Sequence, residues 1–225
     1  TYTYESEKLG AELDGYRIVQ ISDLHNATFG KENKKLLETI RSCSPDIIVI
    51  TGDLVDSNHT NVERAVAFVK EAVKIAPVYY VTGNHEYWLD PSENEQMMQG
   101  ILAAGAYDLD DEAVRIEKGD SSFLLVGLDD QHLSDETLKN LLQEQKNELS
   151  IVLAHEPQYL QNYANAEADL VLAGHAHGGQ IRLPFVGGIV APDQGFLPEY
   201  TSGQYNSADT CLLYTSPSPR DGATS

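Results

Sequence analysis

Five short clusters of ligand-type residues interrupt the chain, each directly after an apolar run. Asp23-Leu24-His25 follows "RIVQIS", Gly52-Asp53 follows "IIVIT", and Gly83-Asn84-His85-Glu86 follows "VYYVT". His155 follows "IVLA", and Gly174-His175-Ala176-His177 follows "LVLA". Of seven histidines only His59 and His132 lie elsewhere, so the imidazoles are concentrated with the carboxylates. Asp, Asn and His without a thiolate suit Mn, Fe, Zn or Co ions at sites that keep positions open for water or substrate. Two such ions about 3.5–4 Å apart need a carboxylate that reaches both. Asp53 suits that place, because Gly52 before it lets the backbone approach closely. In an extended His-x-His segment both rings leave on the same side, so His175 and His177 are each expected to reach a different ion.

Taken singly, these clusters are weak signals. Asp-Leu-His also fits a capped loop, Gly-Asp a turn, Asn84 a helix N-cap and His155 a plain strand end. Their repeated position gives them weight, because groups at the carboxyl ends of crossover-connected strands converge on one edge, where ligands bind.

The elements that must carry them alternate. Strands are predicted at 16–22, 45–53 and 76–84, and helices near 31–43, at 61–74 and at 92–105, the last ending at a Gly stop. Val62, Ala65, Val66, Val69 and Val73 form one stripe of the second helix. Continuous β-branched strands between helices imply a sheet covered on both faces. Beyond residue 112 the rhythm changes to the strands "AVRIEKG", "SSFLLVGLDD", "LSIVLAHEP" and "ADLVLAGHAHGG", with one clear helix at 135–146. A second sheet packed on the first is the economical arrangement. "YDLDDE" (107–112) reads as a solvated turn, since the spacing of a calcium loop is absent.

The 225 residues favour one domain, and a 41% hydrophobic share supplies its core. No apolar run reaches the roughly 18 residues of a membrane span. A net charge of −20 repels phosphate backbones and argues against a partner that is long nucleic acid. Two cysteines, Cys43 and Cys211, are too few for a disulfide framework or a thiolate zinc site. The chain opens on "TYTYESEKLG" without Met, so a preceding targeting or membrane-attaching segment is expected to be missing.

The ordered series D-L-H, G-D, G-N-H-E, a lone His and G-H-A-H, over about residues 16–180, resembles the calcineurin-like metallophosphoesterase superfamily. "ISDLHN", "GDLVD", "GLDD" and "GHAHGGQIRLP" are similar to a bacterial, often membrane-associated branch that includes UDP-2,3-diacylglucosamine pyrophosphatase-type enzymes. With the element pattern, the resemblance implies an α/β fold: a four-layer α-β-β-α sandwich of two mixed sheets flanked by helices. It implies two divalent ions, one held by Asp23, His25, Asp53 and His177, the other by Asp53, Asn84, His155 and His175. His85 matches the family's proton donor, beside the ions and not bound to them. A hydroxide shared by the cations would attack phosphorus, with Asn84 bonding an equatorial oxygen and Glu86 orienting the His85 ring. The implied substrates are small-molecule, nucleotide or lipid phosphoesters or pyrophosphates. A cyclic-nucleotide phosphodiesterase or nuclease of the same superfamily and a non-catalytic metal-binding scaffold are the alternatives.

Other residues admit more than one role. Asn26 and Gln180 either touch substrate or satisfy nearby backbone groups. Asp129 and Asp130 are expected in supporting positions, and Tyr87 and Trp88 form either a lip over the substrate or a small satellite core. Residues 1–15 read as a lead segment and 16–210 as the domain. The tail "CLLYTSPSPRDGATS" (211–225) back-translates to a string resembling a sequencing-library adapter. It is expected to be an artefact that replaces further C-terminal strands.

Overall fold

The computed structural model of the chain describes residues 1–143, 148–177, 181–183, 187–191, 194–196, 198–200, 203–206 and 212–215. A first sheet holds β1 (Ile18–Ile21), β2 (Ile47–Thr51), β3 (Val78–Val81) and β4 (Tyr107–Asp108) in that order. Every pairing in it is parallel. Parallel neighbours need crossovers, and these are α1 (Lys34–Cys43), α2 (Val62–Ala72), and the pair α3 (Asn84–Tyr87) and α4 (Pro91–Ala104). The second sheet contains β5 (Ala113–Lys118), β6 (Ser121–Gly127), β7 (Leu149–Leu153) and β8 (Leu170–Ala173), with α5 (Asp135–Leu142) and α6 (Leu160–Asn165) between its strands. Short strands β9 (Ile181–Leu183), β10 (Gly187–Ala191) and β11 (Gly195–Phe196) form a separate sheet. The second sheet is completed by β12 (Gly203–Asn206) and β13 (Leu212–Thr215), in the order β12-β13-β8-β7-β6-β5.

Antiparallel pairs at both edges of the second sheet make it mixed, as expected. The first sheet departs from that expectation by being parallel throughout, because all its connections cross over through helices. β13 lies inside the stretch that resembles an adapter, and it pairs in parallel with β8.

Three apolar layers bind the sandwich, and strand alternation assigns each side chain to one of them. On β2, Ile48 and Ile50 face the helices with Leu37, Ile40, Val66, Val69 and Met97. Ile47 and Val49 face the other sheet, meeting Phe123, Leu125, Leu149 and Ile151. Val126, Val152 and Val171 point outward to Leu138, Leu160 and Tyr163 of α5 and α6. Burial on both faces is why these strands read as continuous apolar runs.

Local chemistry sets the ends of the helices. The Asn61 carboxamide oxygen accepts the Arg64 N–H at 2.9 Å and caps α2. Pro91 opens α4, and Gly105, at φ +96°, closes it. Val73 falls one residue beyond α2 and still packs against its core. Helix α5 ends at Leu142, and 144–147, the rest of the helix expected to reach 146, lie outside the described residues. α3 and α6 escape sequence reading because one or two turns carry too little periodicity. Among the described residues no helix is long and apolar enough to cross a membrane.

Candidate metal centre

All five clusters stand at carboxyl ends of strands, three on the first sheet and two on the second. Gln20 ties the sheets together there: its side-chain N–H₂ donates to the Thr51 hydroxyl and to the Ala173 carbonyl, both at 2.9 Å. The loops after β1 and β2 run side by side. Asp23, His25 and Asn26 donate their backbone N–H groups to the carbonyls of Gly52, Asp53 and Leu54 at 3.2, 2.9 and 3.1 Å. Glycine permits this crowding. A Cβ on Gly52, at φ +83°, would strike the His155 ring, and one on Gly174 would strike the Ser22 hydroxyl.

Asp23, His25, Asn26, Asp53, His175 and His177 all have positive φ. Asp, Asn and His enter this left-handed region more readily than other side-chain-bearing residues. The extended His-x-His expected from the sequence is therefore replaced by a turn. His175 and His177 fall in different groups through two left-handed residues and not through strand alternation.

One group comprises Asp23, His25, Asp53 and His177, and a second comprises Asp53, His155 and His175. Within each, the possible ligand atoms lie within 4.8 Å of one another. His25 Nε2 is 3.2 Å from His177 Nε2 and 3.4 Å from Asp53 Oδ2. His155 Nε2 is 3.3 Å from the same Asp53 oxygen and 3.1 Å from both His175 Nδ1 and Asn84 Oδ1. Asn84 Oδ1 also meets His175 Nδ1 at 3.0 Å. Asp53 is thus the residue common to both groups, and Asn84 joins the second.

The donor set fits divalent cations. Ligand atoms about 3 Å apart are the edges expected around an ion with nitrogen and oxygen ligands at about 2.0–2.2 Å. Asp23 Oδ2 is buried without a hydrogen-bond partner, a costly state for a carboxylate oxygen that no cation faces. The other Asp23 oxygen accepts the His175 N–H at 2.9 Å, so the side chain is aimed. His155 Nδ1 meets the Thr51 carbonyl at 2.8 Å, which puts a proton on Nδ1 and leaves Nε2 free to ligate.

Charge in this enclosure is unevenly shared. Burial lifts Asp23 above the ordinary carboxylate range, with His155 and His177 opposing the rise. Burial acts the same way on Asp53, but the imidazoles of His155 and His25 outweigh it and hold that carboxyl well below its usual value. Burial opposes charge on His155, yet Asp53 and then Asp23 push it well above its usual value. Protons thus hold together a set of groups that divalent cations would hold at higher charge density.

His85 stands beside this set. Its ring makes an edge contact with His25 at a centroid distance of 4.5 Å, and its backbone N–H donates to Asp53 Oδ1 at 2.9 Å. The group that orients the ring is Ser57, whose backbone N–H donates to His85 Nδ1 at 3.0 Å with its hydroxyl at 3.1 Å. Sequence reading assigned this task to Glu86, and the structure corrects it. Glu86 is fully buried, and its carboxylate accepts the backbone N–H groups of Gly83, Asp53, Leu54 and Val55 at 2.8, 2.9, 2.9 and 3.3 Å. Burial, and then the charge of Asp53, push it up to about 8 despite those donors. It shapes the Asp53 loop from behind. Nothing in "GDLVDSN" marked Ser57 as a partner of His85, because the two meet only through the fold.

Asn26 is likewise committed to structure. Its side-chain oxygen accepts from Asp56 N and Asn61 N at 3.2 and 2.9 Å, and its N–H₂ donates to the Asn61 carbonyl at 2.9 Å. Gln180 lies outside the described residues. Asp129 joins a third Asp/His group with Asp111 and His132, but this one is partly exposed. Asp130 is buried at the same strand end, and its charge acts on His155.

Comparison with known proteins finds relatives over most of the chain. An uncharacterized metallophosphoesterase of Bacillus subtilis, YkuE, is 29% identical over 93% of this chain and 74% of its own length. One from Aquifex aeolicus is 33% identical over 79% of this chain and 69% of its own. Across several of its curated relatives, the chain spans between 50% and 74% of their length. Phosphopantetheinyl hydrolase (PptH) from Mycobacterium tuberculosis shares the fold, with a TM-score of 0.56 at 11% identity over 92% of this chain and 91% of that one. Residues 16–179, which carry all five clusters, match the calcineurin-like phosphoesterase family, and the chain belongs to that family.

Proposed function

We propose that the chain hydrolyses a phosphoester or pyrophosphate bond of a small molecule, nucleotide or lipid at a dinuclear centre bridged by Asp53. The observation that carries this reading is the placement of one carboxylate oxygen 3.4 Å from His25 Nε2 and 3.3 Å from His155 Nε2. Asp23, His25, Asp53 and His177 would hold one ion, and Asp53, Asn84, His155 and His175 the other. Divalent cations, when bound, make a nucleophile available from water near neutral pH and neutralise phosphoryl charge. Mn, Fe, Zn and Co all suit these ligands.

The chain's own groups supply the remaining chemistry. Asp53 Oδ1 is engaged by the His85 N–H, so Oδ2 is turned toward the imidazoles. The Asn84 oxygen points at His155 and His175, which leaves its N–H₂ to bond a phosphoryl oxygen. A backbone N–H can only donate, so the Ser57 contact makes Nδ1 of His85 the acceptor. A proton on Nε2 is then turned away from Ser57, where it can be donated in a hydrogen bond to the leaving oxygen as charge develops there.

The test is turnover of p-nitrophenyl phosphate and its bis-ester by metal-stripped protein before and after adding Mn²⁺. Metal-restored turnover of the monoester supports the proposal. Turnover of the bis-ester alone points to a phosphodiesterase or nuclease. Neither activity, with two ions bound per chain, leaves a non-catalytic scaffold.

A further inference from the structure

The short helix that carries Asn84 and His85 continues into the chain's single tryptophan. Trp88 donates its backbone N–H to the Asn84 carbonyl at 3.2 Å, so its position is locked to the same helical turn. Its ring lies 4.9 Å from the His85 ring, tilted by 49°, and the residue is 62% exposed. Six large hydrophobic residues are exposed among those described, and Trp88 is the one whose ring contacts a histidine of the site. The neighbouring Tyr87 is less exposed, at 39%. Among the described residues, Trp88 is therefore the more open aromatic face beside the His85 imidazole.

In-line displacement sends the leaving oxygen to the side opposite the nucleophile, toward the group that protonates it. If that group is His85, as proposed above, whatever the leaving oxygen carries must pass the Trp88 ring. A flat indole face gains most contact from a flat partner, and stacking needs only that one face. We propose that Trp88 is the leaving-group platform and that the favoured substrates are phosphoesters whose alcohol carries a planar ring, an aryl group or a heterocyclic base.

The experiment compares the metal-loaded wild type with Trp88→Ala and Trp88→Phe on phenyl phosphate, octyl phosphate and ethyl phosphate. For phenyl phosphate, Trp88→Ala is expected to raise KM about 5–20-fold with kcat within about threefold, and Trp88→Phe to recover most of the loss. For ethyl and octyl phosphate the change in KM is expected to be several times smaller. Equal losses on phenyl and ethyl phosphate, or a fall in kcat alone, would mean that Trp88 merely packs against His85. An octyl phosphate loss matching that of phenyl phosphate would overturn the planar-ring specificity. Binding is followed separately through Trp88, the only source of indole fluorescence in the chain. Phenylphosphonate is expected to quench it saturably and methylphosphonate to leave it unchanged, whereas equal responses to both would refute the platform. Ring-selective quenching in a protein that hydrolyses none of the esters would sustain the platform and defeat the hydrolytic reading.

Discussion

Asp53 and Asp129 each follow an apolar strand and stand beside imidazoles, yet their surroundings differ in one decisive respect. Asp53 is 1% exposed and shares its Oδ2 between His25 and His155, both buried. Asp129 lies with Asp111 and His132 at the surface, where the His132 side chain is 57% exposed and pairs with Asp111 at 2.5 Å. Water reaches the second group, and His132 pairs with Asp111, so its carboxylates cost less to leave without an ion. The first is buried except for the partly exposed His177, and every uncompensated lone pair there costs several times more. The same residue types thus make a buried candidate metal centre in one place and a surface ion pair in the other.

The comparison breaks most directly at its buried end. Asp53→Asn is expected to lower metal-dependent kcat/KM by about a thousandfold or more, since it removes the negative charge of the carboxylate proposed to serve both ions. Metal content by mass spectrometry should fall in parallel, and full activity with two ions retained would sink the bridging assignment. Next in size is Glu86→Gln. One carboxamide oxygen cannot satisfy four backbone donors, so stability should drop by about 2–4 kcal/mol, read as a thermal midpoint lower by roughly 5–12 °C. An unchanged midpoint would show that the Asp53 loop does not depend on that carboxylate.

Asp110 tests the partly buried region between the two extremes. Its Oδ1 accepts the Thr82 N–H at 2.9 Å, and burial, then the charges of Asp108 and Asp129, push it up to about 7. A folded value above the unfolded one near 4 means that the folded chain binds the proton more tightly. Stability from this group is therefore full below about pH 4 and is lost as pH rises toward 7. The wild-type midpoint is expected to fall by a few degrees relative to Asp110→Asn over that range; parallel curves would contradict it. Ser57→Ala removes one of two donors on His85 and should lower kcat about fivefold at constant KM. The loss should be larger for phenyl than for p-nitrophenyl phosphate, whose leaving group needs less protonation. Smallest of all, His132→Ala should leave both metal content and midpoint unchanged. A loss of bound ion on that substitution would erase the distinction between the two groups.

Much of this was legible beforehand for identifiable reasons. Doubly buried strands such as β2 advertise themselves as apolar runs, and α2 declares its stripe and its Asn61 cap. The metal-ligand candidates were readable because each follows such a run directly. What stayed hidden is short or non-local. α3 is a single turn, Ser57 meets His85 across 28 residues of chain, and Glu86 reaches back more than 30 residues to three amides. His175 and His177 fall into separate groups through a turn, not through strand alternation, because positive φ leaves no mark in a His-x-His motif.

The sequence by itself determined the chemistry available: an oxygen and imidazole donor set, in family order, at the ends of strands that must be buried. Side-chain type and local pattern suffice for that, since both are properties of neighbouring residues. Only the tertiary structure decided that Asp53 is common to both groups, that Glu86 braces a loop while Ser57 holds His85, and that Trp88 faces solvent. Those outcomes depend on how two sheets stack and on which loops then share space, and stacking is settled by the sum of the core contacts.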